Sequence, residues 1–306
     1  MAVTRSKVVV FGSLNMDLVV RVPRMPQSGE TLTGRGFLSN PGGKGANQAV
    51  ACARQGGRVE MVGRVGDDGF GAELRAAIGG QGVDASGVVT AFDVGTGVAM
   101  IMVDDAAHNC IAVVPGANGH VGVQDAQGLT GRLVDAGLLL LQLEIPMAAV
   151  LQAATAARQA GCRVLLNPAP AQALPIALWS LIDILVLNET EAALLTQLPS
   201  VDADNAGDAS TRLLARGPDH VILTLGGQGL VWASAAGARR FESVKVQALD
   251  TTAAGDTFIG ALAALLVESR PMEQALVHAI RAAAICVTRA GAQASMPSRA
   301  EVERLA

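Results

Sequence analysis

The sequence predicts an α/β sandwich, in which helices cover both faces of a mostly parallel sheet. From residue 138 onward, short apolar runs alternate with helical stretches. These runs are continuously apolar, as strands buried on both faces require. The chain has 306 residues, half of them hydrophobic and 16% charged. A chain of that size buries roughly 70–75% of its extended surface, enough for one large domain without a disulfide or metal staple.

The first strand is Lys7-Val-Val-Val-Phe-Gly12, an apolar run entering a Gly-Ser turn. Extended segments follow at 18–22 and 31–38, broken by Pro23, Pro26 and Gly29. Residues 47–55 read as a helix, 59–62 as a strand and 69–79 as a second helix. Residues 97–103 and 110–114 pair as a hairpin around 104–109. Strands are then expected at 138–143, 163–167, 184–187, 220–225 and 230–233. Helices fall between them at 146–160, 190–197 and 209–216, and two more close the chain at 256–268 and 272–288. The pieces near 14–40 and 95–115 stand outside the βα alternation and are expected to form a small β-sheet lid. No repeat or long linker divides residues 1–306, which read as one domain.

Composition excludes several functions. A net charge of −4 argues against nucleic acid as a partner, and eight Phe and Trp with no Tyr leave little to stack on bases. The apolar stretches 138–143 and 258–267 are too short to span a bilayer, so no membrane partner is expected. The N-terminal residues lack the apolar stretch and cleavage site of a signal peptide, which leads to a cytoplasmic expectation. Cys52, Cys110, Cys162 and Cys286 lie far apart with no CxxC, as reduced and mostly buried thiols do.

The chain has no GxxxxGK[ST] and no HExxH or GxSxG, and Gly63-Arg-Val-Gly66-Asp-Asp-Gly69 is not the dinucleotide turn GxGxxG. Two other segments carry chemistry. In Asp250-Thr-Thr-Ala-Ala-Gly-Asp256, small residues precede a helix whose free N–H groups suit a phosphate, and Asp256 is placed to take a proton from a hydroxyl. The plainer alternative is that Asp256 or Thr257 caps the helix. In Asn40-Pro-Gly-Gly-Lys-Gly-Ala-Asn47, a Gly-rich turn offers Lys44, one of only three lysines, and Asn47 to a hydroxylated ligand. A solvated turn and cap is the alternative there.

Together these segments resemble the two signatures of the ribokinase-like (phosphofructokinase-B type) carbohydrate kinases. The resemblance extends from Val8 to about Pro297. Gly12-Ser-Leu-Asn15-Met-Asp17, Gly29-Glu-Thr-Leu and Val287-Thr-Arg-Ala-Gly-Ala-Gln293 are similar to members that phosphorylate ribose. It implies a three-layer α/β/α sandwich with a lid, and transfer of phosphate from ATP to D-ribose with Mg²⁺ as cofactor and K⁺ as activator. Deoxyribose, fructose and adenosine kinases, and a catalytically silent sugar-binding regulator, are the alternatives.

Site residues follow from the same resemblance. Asn15, Asp17, Gly43, Lys44, Asn47 and Glu144 would bind the sugar. Asp256 would be the base, and the Ala253, Ala254 and Gly255 amides the anion hole. Asn188 and Glu191, in an Asn-x-x-Glu motif that also reads as a capping box, would arrange the phosphates and Mg²⁺ through water. Thr224, Gly226, Gly227 and Gly229, otherwise a plain strand-turn-strand, would line the ATP site. Asp250, Thr252, Cys286, Arg289, Gly291 and Ser295 would hold K⁺, Cys286 and Arg289 through backbone carbonyls. Ile280 stands where an Asn beside adenine is usual, so His278 would substitute only if the helix register shifted. A homodimer through the lid sheets is also implied.

Overall fold

The computed structural model describes residues 6–106 and 108–305. Residues 1–5, 107 and 306, which the expected domain and the expected turn at 104–109 include, lie outside the described residues. The first half of the chain runs β1 (Lys7–Phe11), β2 (Asn15–Arg21), β3 (Gly36–Gly42), α1 (Lys44–Arg54), β4 (Arg58–Gly66), α2 (Gly69–Gly80), β5 (Asp84–Ala91), β6 (Gly97–Val103), β7 (Asn109–Val114) and α3 (Val123–Gln127). Next come β8 (Ala136–Leu141), α4 (Met147–Ala160), β9 (Arg163–Leu166), α5 (Ile176–Trp179), β10 (Ile184–Asn188), α6 (Glu189–Thr196) and α7 (Ala206–Leu214). The last elements are β11 (His220–Thr224), β12 (Leu230–Ser234), β13 (Gly237–Phe241), α8 (Ala254–Val267), α9 (Met272–Cys286) and α10 (Arg299–Arg304).

The large sheet has the order β13-β12-β11-β10-β9-β8-β1-β4-β5. It is parallel except at β12 and β13. Alternate side chains of its strands enter two cores. Val8, Val10, Leu138 and Leu140 pack toward α1, α2, α8 and α9. Val9, Phe11, Leu139 and Leu141 pack toward α3, α4, α6 and α7. Burial on both faces explains the uninterrupted apolar runs. The smaller sheet has the order β3-β2-β6-β7 and stands apart from this sandwich.

Several boundaries differ from the sequence reading. Strands β5 and β13 went unrecognised because they are the sheet edges, and edge strands such as Gly-Ala-Arg-Arg-Phe carry exposed polar side chains. The short helices α3, α5 and α10 lack enough turns for a visible period. The extended segment expected at 31–38 is a loop up to the start of β3 at Gly36. Helix α1 begins at Lys44 rather than residue 47, because its first amides find acceptors far away in sequence. Lys44 N–H donates to Glu144 Oε2 (3.0 Å), and Gly45 N–H to Ser13 Oγ (3.3 Å).

Chain order reverses at β1, which lies between β8 and β4. Open α/β sheets form a crevice at the carboxyl ends of the strands beside such a reversal. Ser13, Gln142, Asn167, Asn188 and Thr224 all sit at those ends. Over the crevice α1 and α8 come into close contact at Gly260. A Cβ there would lie 2.4 Å from Ala51 Cβ and 2.6 Å from the Gln48 carbonyl oxygen. Gly260→Ala is therefore expected to destabilise the fold by about 1–3 kcal/mol, despite alanine's advantage in a helix of about 1 kcal/mol. Gly207→Ala, in α7 with open space at the Cβ position, should be neutral or stabilising. Urea denaturation of both variants checks the contrast, and equal effects would contradict the close contact.

Candidate active site

Two glycines let β2 and α1 meet. Gly43, the residue before α1, has φ +88°, a left-handed conformation that side chains disfavour. A Cβ on Gly42 would lie 2.2 Å from an Asp17 carboxylate oxygen. The close approach places Asp17, opposite Asn40 in the β2–β3 pair, against the start of α1. Asn15 is fixed by a residue that the sequence reading missed. Asn118 Nδ2 donates to Asn15 Oδ1 (2.7 Å) and to the Leu14 carbonyl (2.9 Å), and its Oδ1 accepts from Leu14 N–H (2.9 Å).

Glu144 closes this half of the site. Its Oε2 accepts from Ser13 Oγ (2.5 Å), from Lys44 N–H and from Asn15 Nδ2 (3.5 Å). The carboxylate thus caps α1 from another segment, at the end of the helix dipole that favours negative charge.

Asp256 occupies the third position of α8, and Ala253 is the N-cap with φ +58°. Neither Asp256 nor Thr257 caps the helix, which removes that alternative. Instead Asp256 Oδ2 accepts from Asn47 Nδ2 (3.1 Å) and Oδ1 from Gln48 Nε2 (3.0 Å). Thr257 Oγ1 donates to Cys286 Sγ (3.2 Å). A cleft of about 230 Å³ runs from Asp256 along Ala253, Ala254 and Gly255 to Lys44, Asn188 and Glu191. Ala254 N–H already donates to the Thr251 carbonyl (3.3 Å). The amides of Gly255 and Asp256, in the first turn, are the ones that a helix leaves for an anion.

Asn188 caps α6 through Glu191 N–H (2.9 Å), and Glu191 returns bonds to Asn188 N–H (2.9 Å) and Nδ2 (3.1 Å). Glu191 lines the cleft. Among the described residues no cluster of three or more His, Cys, Asp or Glu forms a metal cage. One carboxylate acting through water fits Mg²⁺, which keeps waters and binds substrate phosphates.

A second cavity of about 430 Å³ joins the cleft at Thr224, Ala254 and Gly255. Its walls include Gly226, Gly227 and Gly229 on one side and Val246, Ile280 and Ala283 on the other. His278 points elsewhere and bonds Gln55 Oε1 (2.8 Å). Beside the helix start, Asp250 accepts from Thr252 N–H (2.9 Å) and Gly291 N–H (2.9 Å). Ser295 Oγ bonds Cys286 Sγ (3.0 Å), while the Arg289 side chain turns away to Glu301 (2.6 Å). The oxygen donors of this loop, carboxylate and carbonyl, fit an alkali cation.

Burial pushes the Asp256 carboxyl upward against the opposing effects of Lys44, Gln48 and Asn47. Glu191 is also raised by burial. Asp17 is pushed up to about 7, by burial first and then by Glu144 and Asp256. Burial works to lower Lys44, but the carboxylates of Asp256, Glu144, Glu191 and Asp17 outweigh it and hold the ammonium above its ordinary value.

Residues 5–299 match the model of the pfkB family carbohydrate kinases. The chain is similar to a ribokinase of Haemophilus influenzae, 40% identical over 297 residues and covering 97% of each. A deoxyribokinase of Salmonella typhi is 36% identical over 292 residues, covering 95% of each. The structure is similar to that of Arabidopsis thaliana ribokinase complexed with ribose and ATP, with a TM-score of 0.90, 34% identity and 97% of each chain covered.

A raised Asp17 favours the protonated native state, so the ligand-free protein keeps this stability below pH 4 and loses it as the pH climbs through about 7. Asp17→Asn should therefore raise the melting temperature at pH 8 and leave it nearly unchanged at pH 4. The rise from 3.8 to about 7 bounds the gain at roughly 4 kcal/mol. Scanning calorimetry at both pH values checks it, and a pH-independent difference would refute the electrostatic origin.

Proposed function

The chain belongs to the pfkB family of carbohydrate kinases, and on that premise we propose that it transfers the γ-phosphoryl group of ATP to the primary hydroxyl of D-ribose, yielding D-ribose 5-phosphate and ADP. The observation that carries the proposal is the buried Asp256 carboxylate, held by Asn47 and Gln48 at one end of a cleft lined by the 253–255 turn. Asn15, Asp17, the Gly43 turn, Lys44, Asn47 and Glu144 offer a pentose both donors and acceptors. Asp17 accepts from sugar hydroxyls. Asp256 takes the proton of the primary hydroxyl as its oxygen attacks phosphorus in line. The first-turn amides of α8 receive the charge that builds on the transferring group.

The nucleotide lies over Thr224 and the Gly226–Gly229 turn, with its base in the apolar cavity beside Ile280. Asn188 and Glu191 would hold Mg²⁺ through water, where it would spread the phosphate charge. Asp250, Thr252, Gly291, Ser295 and the Cys286 and Arg289 carbonyls would hold K⁺ and so set the geometry of the turn. ATP chemistry and free thiols support a cytoplasmic setting, and no described helix is long and apolar enough to cross a membrane.

Two copies are proposed to pair through the smaller sheet. Leu38, Val19, Ile101 and Ile111 form one cross-strand row on the face bearing Asp17, and Leu38 and Ile111 are each 54% exposed. Sedimentation at micromolar concentration should give twice the chain mass, and a single-copy mass would remove the pairing.

A coupled ADP assay over ribose, deoxyribose, fructose and adenosine tests the substrate, with the largest kcat/KM expected for ribose. A preference for deoxyribose would move the reading to that relative's activity. Asp256→Asn keeps shape but removes the proton acceptor, so kcat should fall by roughly 10²–10⁴-fold with folding intact. Turnover within threefold of the parent would sink the base assignment. The same assay should gain rate on replacing tetramethylammonium by K⁺ at constant ionic strength, and equal rates would remove the cation site.

A further inference from the structure

We infer that Gln48 is a positioning residue for Asp256, the last member of a buried amide relay whose polarity a single backbone carbonyl determines. The inference rests on the reading of Asp256 as the base. The Val186 carbonyl oxygen, in β10, can only accept a hydrogen bond. Asn167 Nδ2 donates to it at 3.0 Å, so Asn167 Oδ1 must face the other way. There it accepts from Gln48 Nε2 at 3.2 Å. Gln48 Oε1 in turn accepts from Gln142 Nε2 at 2.6 Å. With its oxygen engaged, Gln48 has one N–H left, and that hydrogen points at Asp256 Oδ1 at 3.0 Å.

Every alternative orientation creates a conflict. A flipped Gln48 would set its oxygen against Asn167 Oδ1 and the Asp256 carboxylate, and its amide hydrogens against those of Gln142. The relay also leaves a buried polar atom unmatched, for Gln142 Oε1 has no hydrogen-bond partner among the described residues. A Cβ at Gly12 would lie 2.0 Å from that oxygen, so the glycine leaves it room. Buried unmatched acceptors are rare and call for a reason. Turning Gln142 over would set its oxygen against Gln48 Oε1 and take away the donor that steadies Gln48, so the unmatched atom is the cost of supporting the aim at Asp256.

Asn47 holds the other carboxylate oxygen and is itself held by Gln293 (3.2 Å). Asp256 is thus clamped from two sides, by a sugar-site residue on Oδ2 and by the fully buried Gln48 on Oδ1. The division leaves Oδ2 as the atom nearest the sugar residues and gives Gln48 no substrate to touch. The charged groups around the carboxylate are Lys44 from α1, Glu144 after β8, Asp17 from β2 and Glu191 from α6. A substitution at Gln48 alters none of them.

Gln48→Met keeps the length of the side chain and removes the donor. Its expected result is a 10- to 100-fold lower kcat, with KM for ribose and ATP within threefold of the parent. The acid limb of the kcat–pH profile should move up by about half to one pH unit, because the charged carboxylate loses a donor. Gln142→Met, one bond further away, leaves Gln48 Oε1 without its donor while Asn167 still sets its orientation, and should lower kcat about 3- to 10-fold with a smaller displacement of the same sign. A merely structural role would lower the melting temperature and leave the pH profile in place. Parental kcat and acid limb in folded Gln48→Met overturn the inference. Should that variant not fold, the same result in folded Gln142→Met overturns it. The Asp256→Asn variant separates the two readings. Parental turnover there defeats the base assignment itself, whereas a dead Asp256→Asn beside parental glutamine variants defeats only the relay.

Discussion

A carboxylate with almost no contact with water is the constraint on which this structure turns. Asp256 is 8% exposed and lies in the first turn of a helix whose other contacts are almost entirely apolar. Leaving such a group unpaired would cost several kcal/mol. The protein supplies neutral amides from Asn47 and Gln48 at contact, while the Lys44 ammonium acts through space. Amides stabilise the charge without the large fall in proton affinity that a direct ion pair would bring. Their reach depends on α1 lying hard against α8, and that distance is set at Gly260, one turn beyond Asp256 on the same helix face. A packing detail in the core therefore governs the placement of a carboxylate at the crevice.

The same economy appears at the start of α1. Its first amides are taken by Ser13 and Glu144, from the ends of β1 and β8, so the helix start, the sheet reversal and the Glu144 carboxylate are tied together by three hydrogen bonds. Asn118 extends the arrangement into the smaller sheet, since it holds Asn15 at the first residue of β2. The smaller sheet is consequently fastened at Asn15, beside the start of α1.

Much of this was legible in the sequence, and the parts that were not share a cause. Central strands announce themselves because both faces are buried, and Leu138–Leu141 could hardly be anything else. Edge strands β5 and β13 are half solvated and lose that signal. At the site, residues lying in Gly-rich turns before helices stood out, and the structure gathers Asn15, Asp17, Lys44, Asn47, Glu144 and Asp256 around one crevice. The residues that support them did not stand out. Asn118, Asn167, Gln142 and Gln293 lie 71 to 246 positions from Asn47 in the chain and act only through contacts that folding creates. One hint was available: Gln142 interrupts an otherwise apolar strand end, where a polar residue needs a buried partner. Helix starts were misjudged for the same reason, because the acceptors that extend α1 back to Lys44 are remote.

The charges within the site balance one another. Asp17, Glu144, Glu191 and Asp256 surround Lys44, and burial raises Asp17, Glu191 and Asp256. Such a site is stable only while some of these groups keep a proton or find a donor. A polyol brings donors and no charge, so it relieves Asp17 directly. A nucleotide brings negative charge, which the lysine, the first-turn amides and a hydrated divalent cation must offset together. The two halves of the cleft are thus suited to opposite kinds of ligand, an uncharged donor on one side and an anion on the other. Asp256, held by Asn47 on one side and lying in the first turn of α8 on the other, stands where the two halves meet.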